Sequence, residues 1–328
     1  MLVLNAADVR RAMPMAAAIE AMKTAFADFT AGRANVPPRI HMKIEHDGDT
    51  LVMPAFVDGA EGQTLTVKIV SLFGGNLDRG LARIQAVVVA FEPDTGRPMA
   101  VLDGAEVTSI RTAAASGAAT DLLARQDSRT LAILGAGVQA RSHIRAVCTV
   151  RAIETIRVYS RTRSKILDLI AEMESDSTIN CKLEAAVSAC AAIREADIVC
   201  TTTTSPTSVF EDGDLSEGVH INAVGSYKPE VREVPAETVC RALAVVDSRE
   251  AAWEEAGDLI QPLRDGQITR DHIHAELGEL VVGTKLGRSS PRQTTFFKSV
   301  GLAVQDAAAA QLAISNATDA GFGQTVDW

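Results

Sequence analysis

The sequence predicts an α/β protein, with a doubly wound parallel sheet joined to a second, strand-rich α+β domain. Two observations carry this. From about residue 128 onward, apolar strand patterns alternate with helical ones, as βαβ units require. Between residues 33 and 104, strand patterns follow one another without intervening helices. At 328 residues the chain is long enough for two domains.

The elements follow in order. LVL is a short strand, and Asn5 is the N-cap of a first helix. MAAAIEAMKTAFADFTAG has apolar residues at helical spacing and stops at Gly32. VPPRIHMKIEHDGDTLVMPAFV alternates around a turn at His46, Asp47, Gly48 and Asp49, the pattern of a hairpin. LTVKIVSLF and IQAVVVAFEPDTGRPMAVLDG add strands, with PDTG as a tight turn. EVTSIRTAAASGAATDLLA is a helix with small residues on one face.

Next, RTLAILGAGVQARSHIRAV predicts strand, glycine turn and helix. IRVYS, ADIVCTTTT, VHINAVGS and ALAVVDS are further strands, and SKILDLIAEME a helix. TTFFKSVGLAVQDAAAAQLAISNA is taken as one long helix that returns to the N-terminal block. The first domain is then discontinuous, residues 1–115 with 300–328, around a second domain of residues 116–299. GFGQTVDW is expected to be a loosely held tail.

Composition excludes several classes of protein. A net charge of −10 disfavours nucleic acid or an anionic membrane as partner. With aromatics at 4%, there is little to stack bases on. No apolar run reaches the roughly 18 residues of a membrane span, and the N-terminus lacks the layout of a signal peptide. Cys148, Cys181, Cys190, Cys200 and Cys240 are scattered, without CxxC, as in a reduced cytoplasmic protein. No metal site is expected: His272 and His274 in DHIHAE suit a strand face better than zinc. Glu255 and Asp258 are taken as a helix-terminal charge pair, and Asp306 as holding a dimer contact or a helix end.

LAILGAGVQARSH contains Gly135-x-Gly137-x-x-Ala140 between a strand and a helix. Gly135 permits the tight turn, Gly137 lets the backbone approach a pyrophosphate, and Ala140 allows close packing. Free N–H groups at the helix start would face the phosphates. Ser160 lies 25 residues beyond Gly135, near the position that reads the adenosine ribose. A carboxylate there would repel a 2′-phosphate. Ser160 and Arg161 supply a hydroxyl and a guanidinium fork instead, which predicts NADP(H) over NAD(H).

PPRIHM, VKIVSLFGGN, FEPDTGRPMAVLDG, SIRTAAAS, GAGVQARSH, HINAVGSYKPEVRE and FKSVGLAVQD occur in order along nearly the whole chain. This set resembles the ornithine cyclodeaminase/mu-crystallin family. The resemblance implies a Rossmann domain that binds NADP (residues 116–299) and a strand-rich domain for substrate binding and homodimerisation. Activities in the family include ornithine cyclodeamination, alanine dehydrogenation and reduction of cyclic imines, and one branch binds NADPH and thyroid hormone. It implies Arg39, Lys68 and Arg111 as substrate-facing cations, with Lys68 and Arg111 catalytic, and Tyr227 and Val300 also at the substrate. It implies Thr112, Val138, Gln139, Ser160, Arg161, Thr162, Ser299 and Lys298 at the cofactor, with Thr201 or Thr203 beside the nicotinamide. Ile221, Asn222, Ala223 and Val224 would close the other side of that ring.

Physical chemistry agrees with the cations, since Arg offers two parallel donors to a carboxylate. Lys68 sits in LTVKIV, where apolar flanks predict burial with a partner. Two departures weigh against cyclodeamination. Tyr227 stands where cyclodeaminases carry Asp, and a phenol with a reference pKa of about 10 is no anion at neutral pH. Arg83, in GLAR, replaces their Thr. The resemblance therefore leans to the ketimine-reductase branch: NADPH-dependent reduction of Δ1-pyrroline-2-carboxylate or Δ1-piperideine-2-carboxylate. Amino-acid dehydrogenation, ornithine cyclodeamination and non-catalytic NADPH and small-ligand binding are the alternatives. Tyr227, Lys68 or a water would protonate the imine nitrogen.

Overall fold

The structure, a computed structural model, describes residues 1–44 and 48–327. The chain divides into two compact units, Met1–Arg111 with Gly301–Trp328, and Thr112–Val300. The first opens with β1 (Leu2–Leu4), α1 (Ala6–Ala12) and α2 (Met15–Thr30). Asn5 caps α1 by accepting from the Ala7 and Asp8 N–H groups, and Asp8 returns the bond. The strands β2 (Ala34–Asn35), β3 (Ile40–Ile44), β4 (Gly48–Gly59), β5 (Gly62–Phe73), β6 (Ile84–Phe91) and β7 (Pro98–Asp103) follow, then helix α3 (Gly104–Leu123). β3 and β4 pair antiparallel, with Gly48 and Asp49 inside β4; residues 45–47 of the expected turn lie outside the described residues.

The second unit runs β8 (Thr130–Leu134), α4 (Val138–Val150), β9 (Thr155–Tyr159), α5 (Arg163–Glu174), β10 (Lys182–Ala185), α6 (Ala189–Ile193), β11 (Ile198–Thr201) and β12 (His220–Ala223). It continues with α7 (Ala236–Arg241), β13 (Leu243–Val246), α8 (Arg249–Glu255), α9 (Gly257–Arg264), β14 (Ile273–Glu276), α10 (Leu277–Val281) and β15 (Thr295–Lys298). Its strands form one parallel sheet in the order β10-β9-β8-β11-β12-β15-β13-β14. Alternate residues feed cores on the two faces: Leu131, Ile133, Ile156 and Ile198 on one, Ala132, Leu134, Val199 and Ile221 on the other.

α11 (Ala303–Ala320) and β16 (Gln324–Thr325) return to the first unit. Its mixed sheet runs β16-β1-β7-β6-β5-β4-β2, with β3 also on β4. α11 packs on α2, β4 and β5. Its buried face is nearly all alanine (Ala307, Ala310, Ala313, Ala317), so its backbone approaches the sheet closely. Leu51, Met53, Ala55, Val57 and Lys68 point from the sheet into this side and are buried.

Two expectations are corrected. TTFFK is not helix but strand β15, seated between β12 and β13; a strand buried on both faces has an apolar run that periodicity cannot tell from a helix. Gly301, at φ +86°, separates it from α11. The C-terminal segment is not loose, because β16 pairs with the free edge of β1 and the Met1 amino group donates to Val326 O at 2.8 Å.

Arg151 ends α3. Its guanidinium donates to the carbonyls of Thr120 (3.0 Å), Asp121 (2.8 Å), Ala124 (3.0 Å) and Arg125 (3.0 Å). Arg151→Ala removes these four bonds, leaving Thr120 O and Arg125 O only their backbone donors, the Ala124 and Ser128 N–H groups, and lowers stability by about 3 kcal/mol. Thermal unfolding checks this, and an unchanged midpoint would sink it.

Candidate active site

Within the first unit, β5, α3 and α11 bring together Lys68, Arg111 and Asp306, with Arg39, just before β3, nearby. Lys68 Nζ lies 2.6 Å from Asp306 Oδ2, and Arg111 Nε donates to Asp306 Oδ1 at 3.0 Å. Lys68, Asp306 and Arg111 are 1%, 1% and 5% exposed. Arg39 Nη2 donates to Gly301 O at 2.6 Å, and its charge is felt at Lys68. Arg111 Nη1 donates to Gln305 Oε1 at 3.1 Å; Nη2 has no hydrogen-bond partner among the described residues. Two buried cations thus share one carboxylate, with a third cation close enough to bear on Lys68. Burial pulls the Lys68 ammonium down to about 7; Asp306 opposes the shift and Arg111 adds to it. A group at that value both holds and releases a proton near neutrality.

Within the second unit, the turn after β8 has the form that a pyrophosphate needs. Gly135 has φ +113°, and a Cβ there would lie 2.6 Å from Thr202 O. Gly137 is open, with nothing within 4 Å of a built Cβ, and α4 starts after it without a side-chain cap. Val138 is exposed, and the Gln139 side-chain oxygen is buried without a partner among the described residues. Arg141 braces the turn from the helix, donating to Ala136 O at 3.2 Å and Gly137 O at 3.1 Å. His143 anchors α4 between Gln139 O (2.8 Å) and Ser116 Oγ (2.9 Å), and burial pushes it down to about 4. These features fit a dinucleotide.

At the end of β9, Ser160 is half-buried and Arg161 and Thr162 are exposed; Arg161 has no ion pair among the described residues. The nearest hydrogen bond is Thr162 N to Ser160 Oγ at 3.5 Å. Thr112 is nearly buried on α3. The side chains of Ile221, Asn222 and Ala223 are fully buried, Asn222 bonding Thr120 and His220, so any contact with a ligand there goes through backbone. Val224 and Thr203 are half-buried, as is Tyr227, whose ring has Lys228 Nζ 5.9 Å above it. Ser299 Oγ and Val300 N both bond Asp247, at 3.0 and 2.8 Å.

Lys298 does not end in open space. Its ammonium donates to Ser226 O at 2.6 Å and Oγ at 2.8 Å and pairs with Asp258 at 2.9 Å, all buried. Burial alone would raise Asp258, but Lys298, the Ser226 hydroxyl and the Val234 N–H carry it below its ordinary value. Beside it, burial raises Glu233 despite the pull of Lys298.

Sequence reasoning missed the roles of Asp306, Asp258 and Glu233. Asp306 pairs with Lys68 and Arg111 rather than holding a helix end, and Asp258 is an internal counter-ion rather than a terminal charge pair. The signal that marked Lys68, a lone charge in an apolar run, was equally present in AVQDAAAA. His272 and His274 bond the carbonyls of Val239 and Leu286, both at 2.8 Å. Among the described residues, no group of three His, Cys, Asp or Glu side chains could hold a metal.

An all-parallel sheet with a bare glycine turn at β8 in one unit, and in the other a mixed sheet that buries a cationic cluster, define a two-unit protein built around a dinucleotide-binding fold. The chain belongs to the ornithine cyclodeaminase/mu-crystallin family, whose profile matches residues 1–321. It is 39% identical over 330 residues to a Δ1-pyrroline-2-carboxylate reductase of Bacillus cereus, covering 100% of both chains. A solved Δ1-pyrroline-2-carboxylate reductase of Thermococcus litoralis, in complex with NADH and L-proline, superposes with a TM-score of 0.95 at 40% identity, covering 99% of this chain and 100% of that one. An archaeal alanine dehydrogenase dimer with bound NAD gives 0.91 at 32% identity, over 100% and 99%.

Proposed function

We propose that the protein is an NAD(P)H-dependent reductase of a cyclic 2-imino acid, with Δ1-pyrroline-2-carboxylate as first candidate and Δ1-piperideine-2-carboxylate as second. One observation carries it: buried Lys68 and Arg111 share the single carboxylate of Asp306, leaving positive charge for a substrate carboxylate, with half-buried Arg39 close by. Full-length similarity at 39–40% to two pyrroline-2-carboxylate reductases supports the same substrate class.

In this reading the first unit binds substrate and the second binds cofactor. Gly135, Gly137, Val138 and Gln139 would hold the pyrophosphate, Ser160, Arg161 and Thr162 the adenosine end, and Thr203 and Val224 the nicotinamide end. When bound, the nicotinamide supplies hydride to the C=N carbon. Arg111, through its unpartnered Nη2, and Arg39 bind the carboxylate and set the ring's orientation. Lys68, protonated at Nζ, donates to the imine nitrogen, a role that its value of about 7 suits. Asp306 holds both Lys68 and Arg111 in place.

NADPH is the expected cofactor, because no carboxylate stands at residues 160–163 to repel a 2′-phosphate. A homodimer is expected through the outer face of the first sheet, where half-exposed Val52, Phe56, Val67, Val89 and Val101 form a continuous apolar surface with exposed Ile69. Sedimentation measures that. A cytoplasmic location is expected from five free cysteines. No helix among the described residues is long and apolar enough to cross a membrane.

The test is oxidation of NADPH and NADH with each cyclic imine, and with pyruvate plus ammonia in parallel. Imine turnover favouring NADPH is expected. Arg161→Ala should raise the KM for NADPH about 10-fold or more and leave that for NADH unchanged. Turnover only with pyruvate and ammonia would make it an alanine-type dehydrogenase, and equal use of both cofactors would remove the role of Arg161.

A further inference from the structure

Glu233 is wholly buried and accepts three hydrogen bonds: from Thr201 Oγ1 at 2.9 Å, Thr203 N at 2.6 Å and Gly225 N at 2.7 Å. Thr201 closes β11, and Gly225 follows β12 two residues after its end. One carboxylate therefore ties together the chain leaving two neighbouring parallel strands. The fit is tight. A Cβ on Gly225 would lie 2.2 Å from Thr203 O and 2.5 Å from Glu233 Oε1, so only glycine lets the two loops meet there.

Glu233 is itself held from behind. Asp258 Oδ1 accepts from the N–H groups of Glu233 and Val234 at 2.7 and 2.9 Å. Asp258 Oδ2 pairs with Lys298, at the end of β15, and accepts from Ser226 Oγ. Lys298 donates in turn to Ser226 O, in the loop after β12. Three fully buried charges thus link the carboxyl ends of three adjacent strands. Buried ion pairs are in general no better for stability than apolar packing of the same volume. What a buried carboxylate with directed acceptors adds is fixed loop geometry.

We propose that Glu233 is the positioning residue of the nicotinamide half of the cofactor site, holding the Thr203 and Gly225 peptides in the form that receives the ring. Glu233 acts through these loops and touches no ligand. This rests on the reading of Thr203 and Val224 as the nicotinamide end of a dinucleotide site. Glutamine at 233 keeps the shape but must turn an NH2 toward one of the three donors, so one loop is released.

The experiment measures, by calorimetry, the Kd of wild type and Glu233→Gln for NADPH and for 2′-phospho-ADP-ribose, which lacks the nicotinamide. NADH and ADP-ribose serve if wild type prefers them. The variant is expected to lose about 10- to 100-fold in affinity for the dinucleotide and to bind the fragment as wild type does. Equal loss for both, or no loss for either, would overturn the assignment by making Glu233 merely structural or idle. Wild type binding neither ligand would instead overturn the cofactor reading beneath it. Thr201→Val, which removes one of the three bonds with little change of shape, covers the case in which Glu233→Gln does not fold. It should show the same dinucleotide-only loss at about 3- to 10-fold, and a wild-type Kd for NADPH would count against the proposal.

Discussion

Arg111→Ala should lower kcat/KM for Δ1-pyrroline-2-carboxylate by about 100- to 1,000-fold, the equivalent of losing one partner of a buried charge contact. The guanidinium divides its donors: Nε to Asp306 at 3.0 Å and Nη1 to Gln305 at 3.1 Å, with Nη2 left for a ligand. On the proposed function, truncation removes the substrate contact and, with it, the Arg111 bonds that help hold Asp306 and Gln305. Arg111→Lys should recover little, since an ammonium cannot bond Asp306, Gln305 and a carboxylate along one rigid plane. Steady-state kinetics at matched folded fraction is the check. A kcat/KM within about threefold of wild type would remove Arg111 from the carboxylate site.

Asp306→Asn is expected to have the largest effect on stability, about 3–5 kcal/mol, because it leaves Lys68 and Arg111 as buried cations without a counter-ion. Its signature in pH is distinct. Lys68 is lowered by burial from 10.5 to about 7, and the unfolded chain binds the extra proton between those values. Wild-type stability therefore gains from this group as pH rises from about 7 toward 10.5, and loses that gain as pH falls back through 7. Asp306 is the largest influence opposing the shift, so in its absence Lys68 releases its proton at still lower pH. If protonated Lys68 is the acid, the alkaline limb of kcat/KM lies near 7 in wild type and moves acidward in Asp306→Asn. A limb that stays in place while stability falls would assign proton transfer to another group.

How much of this was legible in the sequence depends on the distance over which each feature is decided. The glycine turn is local: Gly135, Gly137 and Ala140 are chosen by the backbone path within a few residues. Asn5 is local too, and its capping bonds reach only to Ala7 and Asp8. Arg39, Lys68 and Arg111 could be named because ordered motifs carried them, but nothing nearby showed what holds them. Arg111 and Asp306 are 195 residues apart, and no periodicity connects them. Read from its own neighbours alone, Asp258 is a charge at a helix end and Lys298 a cofactor residue. Only the parallel order β12-β15-β13 makes them partners. TTFFK failed for a related reason: a strand buried on both faces has no polar side to betray its period.

The placement of α11 has a consequence for synthesis. The strand that carries Lys68, β5, leaves the ribosome early with its neighbour β4, and the whole second unit is made before residues 303–320 follow. Until then the inner side of β4 and β5 lacks its alanine-lined cover, and the Lys68 ammonium lacks the carboxylate that it needs once buried. The unit begun first is thus finished last. A chain paused or cut before residue 303 would present an uncovered apolar sheet with a charge at its centre, a surface for chaperones to hold and for neighbouring chains to misjoin.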